Sequence, residues 1–161
     1  MSRSSERPIQ PSLVDRLMDD EPHLSDDSGV TWSESVENYK RAVLRDLEWL
    51  LNTRQTSVPP PDDFPELQKS LYCYGLPDIS SMSRDDRDVH RRLQRHVDEL
   101  VRTFEPRLAS VRVSFGEDED PDSKRIRFSV EGLLRMDPQP ERVEFDTILE
   151  IASGRFIVSG G

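Results

Sequence analysis

The sequence predicts an α+β fold in two layers, with two main amphipathic helices packed on a C-terminal four-stranded, mainly antiparallel sheet and a short helix near the N-terminus. Three observations lead there. Two long segments carry apolar residues at helical spacing, the last third of the chain switches to a period of two, and the connections within that third are too short for crossover helices.

Residues 1–10 are polar and expected to be disordered, leaving 11–161 as a single domain. Pro11 to Met18 sets Leu13, Val14, Leu17 and Met18 at helical spacing behind Ser12, a residue able to cap. Asp19 to Gly29 is acidic and turn-rich, a loop leading to Thr31 and Glu34, whose spacing is that of a capping box. A helix is expected from there to about Asn52, with Val36, Tyr39, Val43, Leu47 and Leu50 as its apolar stripe. Ala42, Leu44 and Trp49 widen the stripe, so Trp49 is expected in the core, although an exposed Trp at a partner interface would give the same sequence; Glu37, Lys40, Arg41 and Asp46 lie off it, on a solvated face. Pro59, Pro60, Pro61 and Pro65 make Arg54 to Glu66 an extended connector, because proline fixes φ and removes a donor. Tyr72 to Met82, broken by Gly75 and Pro77, reads as irregular. Ser83 to Asp86 can cap a second helix with the stripe Val89, Leu93, Val97, Leu100, Val101 and Phe104, which Pro106 stops.

Alternation then takes over. Ala109, Val111, Val113 and Phe115 share one face of a first strand; Ile126, Phe128 and Val130 one face of a second; Val143, Phe145, Thr147, Leu149 and Ile151 one face of a third; Arg155 to Val158 is a short fourth. Gly116 to Ser123, Asp137 to Pro140, and Ser153 with Gly154 are the turns between them.

Composition narrows the function. The 161 residues carry a net charge of −10, which disfavours nucleic acid, since displacing condensed counterions takes a basic face. No apolar run approaches the roughly 20 residues that span a bilayer, and Met1 to Pro11 lacks the apolar core of a signal peptide, so a cytoplasmic protein without direct membrane insertion is expected. Cys73, the single cysteine, reads as a small semi-buried hydrophobe between two tyrosines.

Little in the sequence points to catalysis. His23, His90 and His96 have no metal-ligand spacing and read as solvated, no glycine-rich phosphate loop occurs, and no serine sits in a nucleophile elbow. Glu117 to Asp120 reads as a solvated hairpin tip. Arg84, Arg87, Arg91, Arg92 and Arg95 interleave with Asp85, Asp86 and Asp88, which is either a salt-bridged solvated face or a docking surface for an acidic partner. No catalytic residue, metal ligand or cofactor site is expected.

Glu105, Pro106 and Arg107 mark a sharp change from helix to strand, because Pro106 lacks an N–H and biases Glu105 away from helix. On the plainest reading the two charges are exposed. On the other, Arg107 stands at a strand start where its guanidinium holds a carboxylate in bidentate fashion.

Pro11 to Leu17, Asp46 to Arg54, Tyr74 to Asp78 and Glu105 to Leu108, in that order and followed by this strand pattern, resemble the TssE family of type VI secretion baseplate subunits. That family is akin to the phage baseplate wedge proteins once labelled lysozyme-like, and Glu-Pro-Arg is its signature. The resemblance implies a structural subunit at the inner face of the cytoplasmic membrane, joined to TssF, TssG and TssK in wedges on which a TssB/TssC sheath polymerises. It makes Glu105, Pro106 and Arg107 partner-binding candidates. The lysozyme label finds no support in spacing: Glu37 and Asp46 stand nine apart as in phage muramidases, but Asn52 occupies the place of the threonine that should follow. A peptidoglycan hydrolase, and a regulatory anti-adaptor on the same fold, remain the alternatives. Arg155, Phe156, Ile157 and Val158 have little of the proline or inward charge that protects an edge strand, so they are the candidate site for sheath pairing. Ile157→Pro is the expected way to remove a donor from that edge.

Overall fold

The computed structural model describes residues 7–18, 29–78, 87–116, 125–150 and 152–160. Expectations for most of the Asp19 to Gly29 loop, the Ser83 to Asp86 cap, the Glu117 to Ser123 turn and Ile151 lie outside these residues.

α1 (Leu13–Leu17) opens with a full capping box, in which the Ser12 hydroxyl accepts from the Asp15 N–H and the Asp15 carboxylate accepts from the Ser12 N–H. α2 (Trp32–Asn52) opens the same way on Thr31 and Glu34. Two 3-10 turns, Pro65–Lys69 and Leu71–Cys73, depart from the expected extended connector and irregular stretch: the first begins inside the connector, on a proline whose missing N–H a helix start does not need. The connector is pinned at its two ends: Gln55 donates to the Leu76 carbonyl at 2.8 Å and Leu76 to that of Thr53 at 2.9 Å. α3 (Arg87–Phe104) then leads into β1 (Leu108–Phe115), β2 (Arg125–Leu134), β3 (Glu141–Glu150) and β4 (Arg155–Gly160). The strands form one antiparallel meander in the order β1-β2-β3-β4, so β1 and β4 are its edges.

One sheet face and both long helices share a single core. Val43, Leu47 and Leu50 of α2 and Leu93, Val97 and Leu100 of α3 close over Val113, Phe128, Phe145 and Phe156. Tyr74 and Phe104 meet edge-on, and the neighbouring Cys73 side chain is buried.

Four local expectations need correction. Trp49 is not core: it is 47% exposed, and Arg45 stacks over its ring at 4.8 Å. The width of the α2 stripe came from Ala42 and Leu51, which are buried, whereas Trp49 sits on its rim. His90 is not simply solvated, because its ring stacks on Phe115 with centroids 5.3 Å apart. Asp46 does not belong to a solvated face, since two arginines hold it. In β1, alternation does not run unbroken from Ala109: Leu108 is the buried residue, Ala109 is only half-buried, and Val111 is buried again. A β-bulge between Ala109 and Arg112 supplies the extra residue, with Ser110 in the left-handed region of backbone space. Gly132 lies opposite, where a Cβ would meet the Ala109 carbonyl at 3.4 Å, so the bulge sits against the residue that leaves it room.

Candidate functional site

Where α3 turns into β1, Glu105 is only 3% exposed although it is ionisable. Arg107 answers it. Its Nε donates to Glu105 Oε1 at 2.6 Å and its backbone N–H to the same oxygen at 3.2 Å. Its Nη2 donates to Glu105 Oε2, which completes a bidentate pair. The same Nη2 reaches Asp46 Oδ2 of α2 at 2.6 Å. Asp46 Oδ1 in turn accepts from Arg45 Nε and Nη2 at 3.0 and 2.8 Å, and Arg45 Nη1 meets Asp15 of α1 at 2.7 Å. Alternating charges thus run Asp15, Arg45, Asp46, Arg107, Glu105, joining α1, α2 and the α3–β1 corner.

The surroundings are aromatic. The Arg107 guanidinium lies 5.8 Å from the centre of the Tyr39 ring, within the range of a cation–π contact. Burial works against the Arg107 charge, but the bonds to Glu105 and Asp46 outweigh it and hold its pKa above the ordinary value. Burial likewise raises the Tyr39 phenol, as it does that of Tyr74, where the charges of Asp46 and Glu105 add to the effect. The plain reading of two exposed charges is therefore incorrect for this triplet: a buried carboxylate is costly to desolvate unless it is paired and hydrogen-bonded, and Arg107 does both. Pro106 itself is exposed.

The second nominated segment faces outward. Arg155 and Ile157 point to solvent while Phe156 and Val158 pack inward. The Asn52 carboxamide donates to the Phe156 carbonyl and accepts from its N–H, both at 2.9 Å. In an antiparallel strand the N–H and C=O of one residue point to the same side. Phe156 and Val158 therefore turn their backbone groups away from β3, and Arg155 and Ile157 turn theirs toward it. Ile157→Pro would thus break the β3–β4 ladder and leave the outer edge alone; the outward donor to remove is that of Val158.

At the other edge, α3 covers β1. Gln94 donates to the Val113 carbonyl at 2.5 Å, and Arg102 Nη2 donates to the Val111 carbonyl. Neither Asn52 nor Gln94 stands out in the sequence, where one is the last residue of a helix and the other a polar residue between stripe positions. Glu105 and Arg107 come together as their spacing allowed, but Asp46, sixty-one residues from Arg107, had no local signal.

Glu37 and Asp46 are separated in role as well as in sequence, Glu37 being exposed and 3.7 Å from Lys40 while Asp46 is held by Arg45 and Arg107. Among the described residues no group of three His, Cys, Asp or Glu side chains could hold a metal ion, and no helix is long and apolar enough to cross a membrane.

The described residues thus form a helix-covered meander whose two edges are treated differently and whose α3–β1 corner holds a buried charge network. The family model of the baseplate wedge protein gp25 matches residues 37–139, more than half of the chain. The chain belongs to that family. Among solved structures, it is similar to a chain of a structure titled "The baseplate complex from the type VI secretion system", at 20% identity and a TM-score of 0.50, over 70% of this chain and 94% of that one. At that identity the likeness is one of fold. No curated protein matches the sequence.

Proposed function

We propose that this chain is a structural subunit of a type VI secretion baseplate, which helps build the wedge with TssF, TssG and TssK and templates the TssB/TssC sheath through the outer edge of β4. Membership of the baseplate wedge family is the observation that carries this reading. The geometry supports it in two ways. The Glu105, Pro106 and Arg107 corner is a rigid, charge-paired turn that fixes where α3 ends and β1 begins, so any partner contact there meets a preformed surface. The β4 edge offers the backbone groups of Val158, whose outward direction follows from the Asn52 contact at Phe156. Residues 11–161 then act as one wedge domain on the cytoplasmic side of the inner membrane.

The test is co-purification with tagged full-length chain. Wild type is expected to capture TssF, TssG and TssK, and Val158→Pro to capture the same subunits while failing to nucleate sheath. Proline is tolerated on an edge strand where its missing N–H faces outward, so this variant should keep its fold, checked by circular dichroism. Capture of none of the three subunits overturns the baseplate reading; normal sheaths on Val158→Pro overturn only the β4 assignment. As a structural subunit, the purified protein leaves peptidoglycan turbidity unchanged, and clearing that Glu37→Ala abolishes would establish a hydrolase instead. Asp46→Ala is unsuited to that comparison, because Asp46 holds Arg107 and Arg45 in place.

A further inference from the structure

We propose that the groove between α3 and β1 is a docking surface for an acidic peptide segment of a partner protein. The groove is open, has a volume of about 680 Å³, and runs along one side of α3 above the bulged part of β1. Its walls carry Arg91, Arg95, Arg102 and Arg112 against Asp98 and Glu99, an excess of positive charge on a chain whose net charge is −10. Such a local reversal of sign steers an anionic ligand to one place on an otherwise repellent surface.

The four arginines are not equally engaged. Arg102 is committed, with Asp98 at 2.6 Å and the Val111 carbonyl as partners. Arg91 pairs with Asp88 at 3.2 Å, but the two side chains are 71% and 78% exposed. A pair so open to water is readily exchanged for another carboxylate. Arg95 makes one long bond of 3.4 Å to the Arg91 carbonyl, and among the described residues no carboxylate pairs with Arg95 or Arg112. Arg95 on α3 thus keeps a bidentate donor edge for an incoming carboxylate, and Arg112 lines the groove from β1. Asp98 and Glu99 stand in the same groove and interrupt the positive field, which suits spaced carboxylates of a peptide better than the continuous phosphates of a nucleic acid.

The probe is a fluorescein-labelled peptide rich in Asp and Glu, titrated with the full chain by fluorescence anisotropy. Its Asn/Gln counterpart and an oligothymidylate of equal length are the comparisons. Saturable binding of the acidic peptide, weakened by added salt, is expected. Arg95→Glu with Arg112→Glu should weaken it by about tenfold or more, while Arg41→Glu, on the exposed face of α2, leaves it unchanged. Both groove arginines are exposed, so the fold should survive; if circular dichroism shows otherwise, Arg95→Gln and Arg112→Gln, singly, carry the comparison with smaller losses. The proposal fails if the acidic peptide does not bind, if Arg41→Glu weakens binding equally, or if the oligothymidylate binds as tightly. Self-association abolished by the double substitution would assign the groove to a second copy of this chain and overturn it as well.

Discussion

The two edges of the sheet are guarded by different means, and the difference decides which of them can accept a strand. At β1 the guard is an entire helix: α3 lies alongside, and Gln94 and Arg102 take the outward carbonyls of Val113 and Val111. At β4 the guard is a single side chain, Asn52, which copies one residue of a neighbouring strand at Phe156 and then stops. Both devices satisfy edge groups that would otherwise invite uncontrolled pairing. The first covers the edge with a helix, whereas the second closes only its beginning and leaves Val158 facing out. The β1 guard depends on the position of α3, which the Glu105, Arg107 and Asp46 network sets.

The largest effect should come from breaking that network. Glu105→Ala leaves Arg107 half-buried with Asp46 as its remaining carboxylate partner and is expected to cost about 3 kcal/mol of stability, read from urea unfolding; a loss below about 1 kcal/mol would mean that the corner does not hold α3 on β1.

Ile157→Pro and Val158→Pro sharpen the β4 side. The first removes a ladder bond to β3 and is expected to destabilise by about 2 kcal/mol or more, the second by clearly less, because its donor faces outward. Equal losses in thermal melts would show that the inward packing of Val158 counts for as much as the ladder bond of Ile157.

Asn52→Ala should cost about 1 to 2 kcal/mol, for two hydrogen bonds of which the freed Phe156 groups recover part in water. It should also lengthen the open edge by one residue, so concentration-dependent association, seen by light scattering, ought to rise. Gln94→Ala is the matching change at β1, and with Arg102 still in place it should leave association unchanged.

The smallest effect is electrostatic and concerns α1. Burial alone would raise the pKa of Asp15, but hydrogen bonds from Ser12 and Arg45 outweigh it and hold the carboxyl below the ordinary 3.8. Such a group contributes its stability in full above the ordinary value and loses it as pH falls through the lowered one. Amide protection at Asp15 and Met18, whose N–H groups the α1 turn occupies, taken relative to the unstructured exchange rate at each pH, should therefore fall on acidification below about pH 4 and be retained at neutral pH. Asp15→Asn should remove that acid dependence.

Much of the architecture was legible because it is written in local periodicity. The capping boxes at Ser12 and Thr31, the stripe from Val36 to Leu50, the stop at Pro106 and the alternation through Val143, Phe145, Thr147 and Leu149 each need only neighbours within a turn or a strand. Short turns then forced the meander. The bulge at Ser110 leaves no mark in the sequence, because one extra residue shifts the phase of a strand without changing its composition.

The sequence by itself thus determined the elements, their order, the hydrophobic faces that must meet, and the segments whose resemblance pointed to a baseplate wedge family. Tertiary structure alone decided that Asp46 closes the Glu105 and Arg107 pair, that Trp49 stays at the surface under Arg45, and that Asn52 and Gln94 guard opposite edges. The physical reason is separation along the chain. A hydrogen bond across 104 residues, such as Asn52 to Phe156, leaves no periodic trace, because its geometry exists only after the core has brought the helix end and the edge strand together.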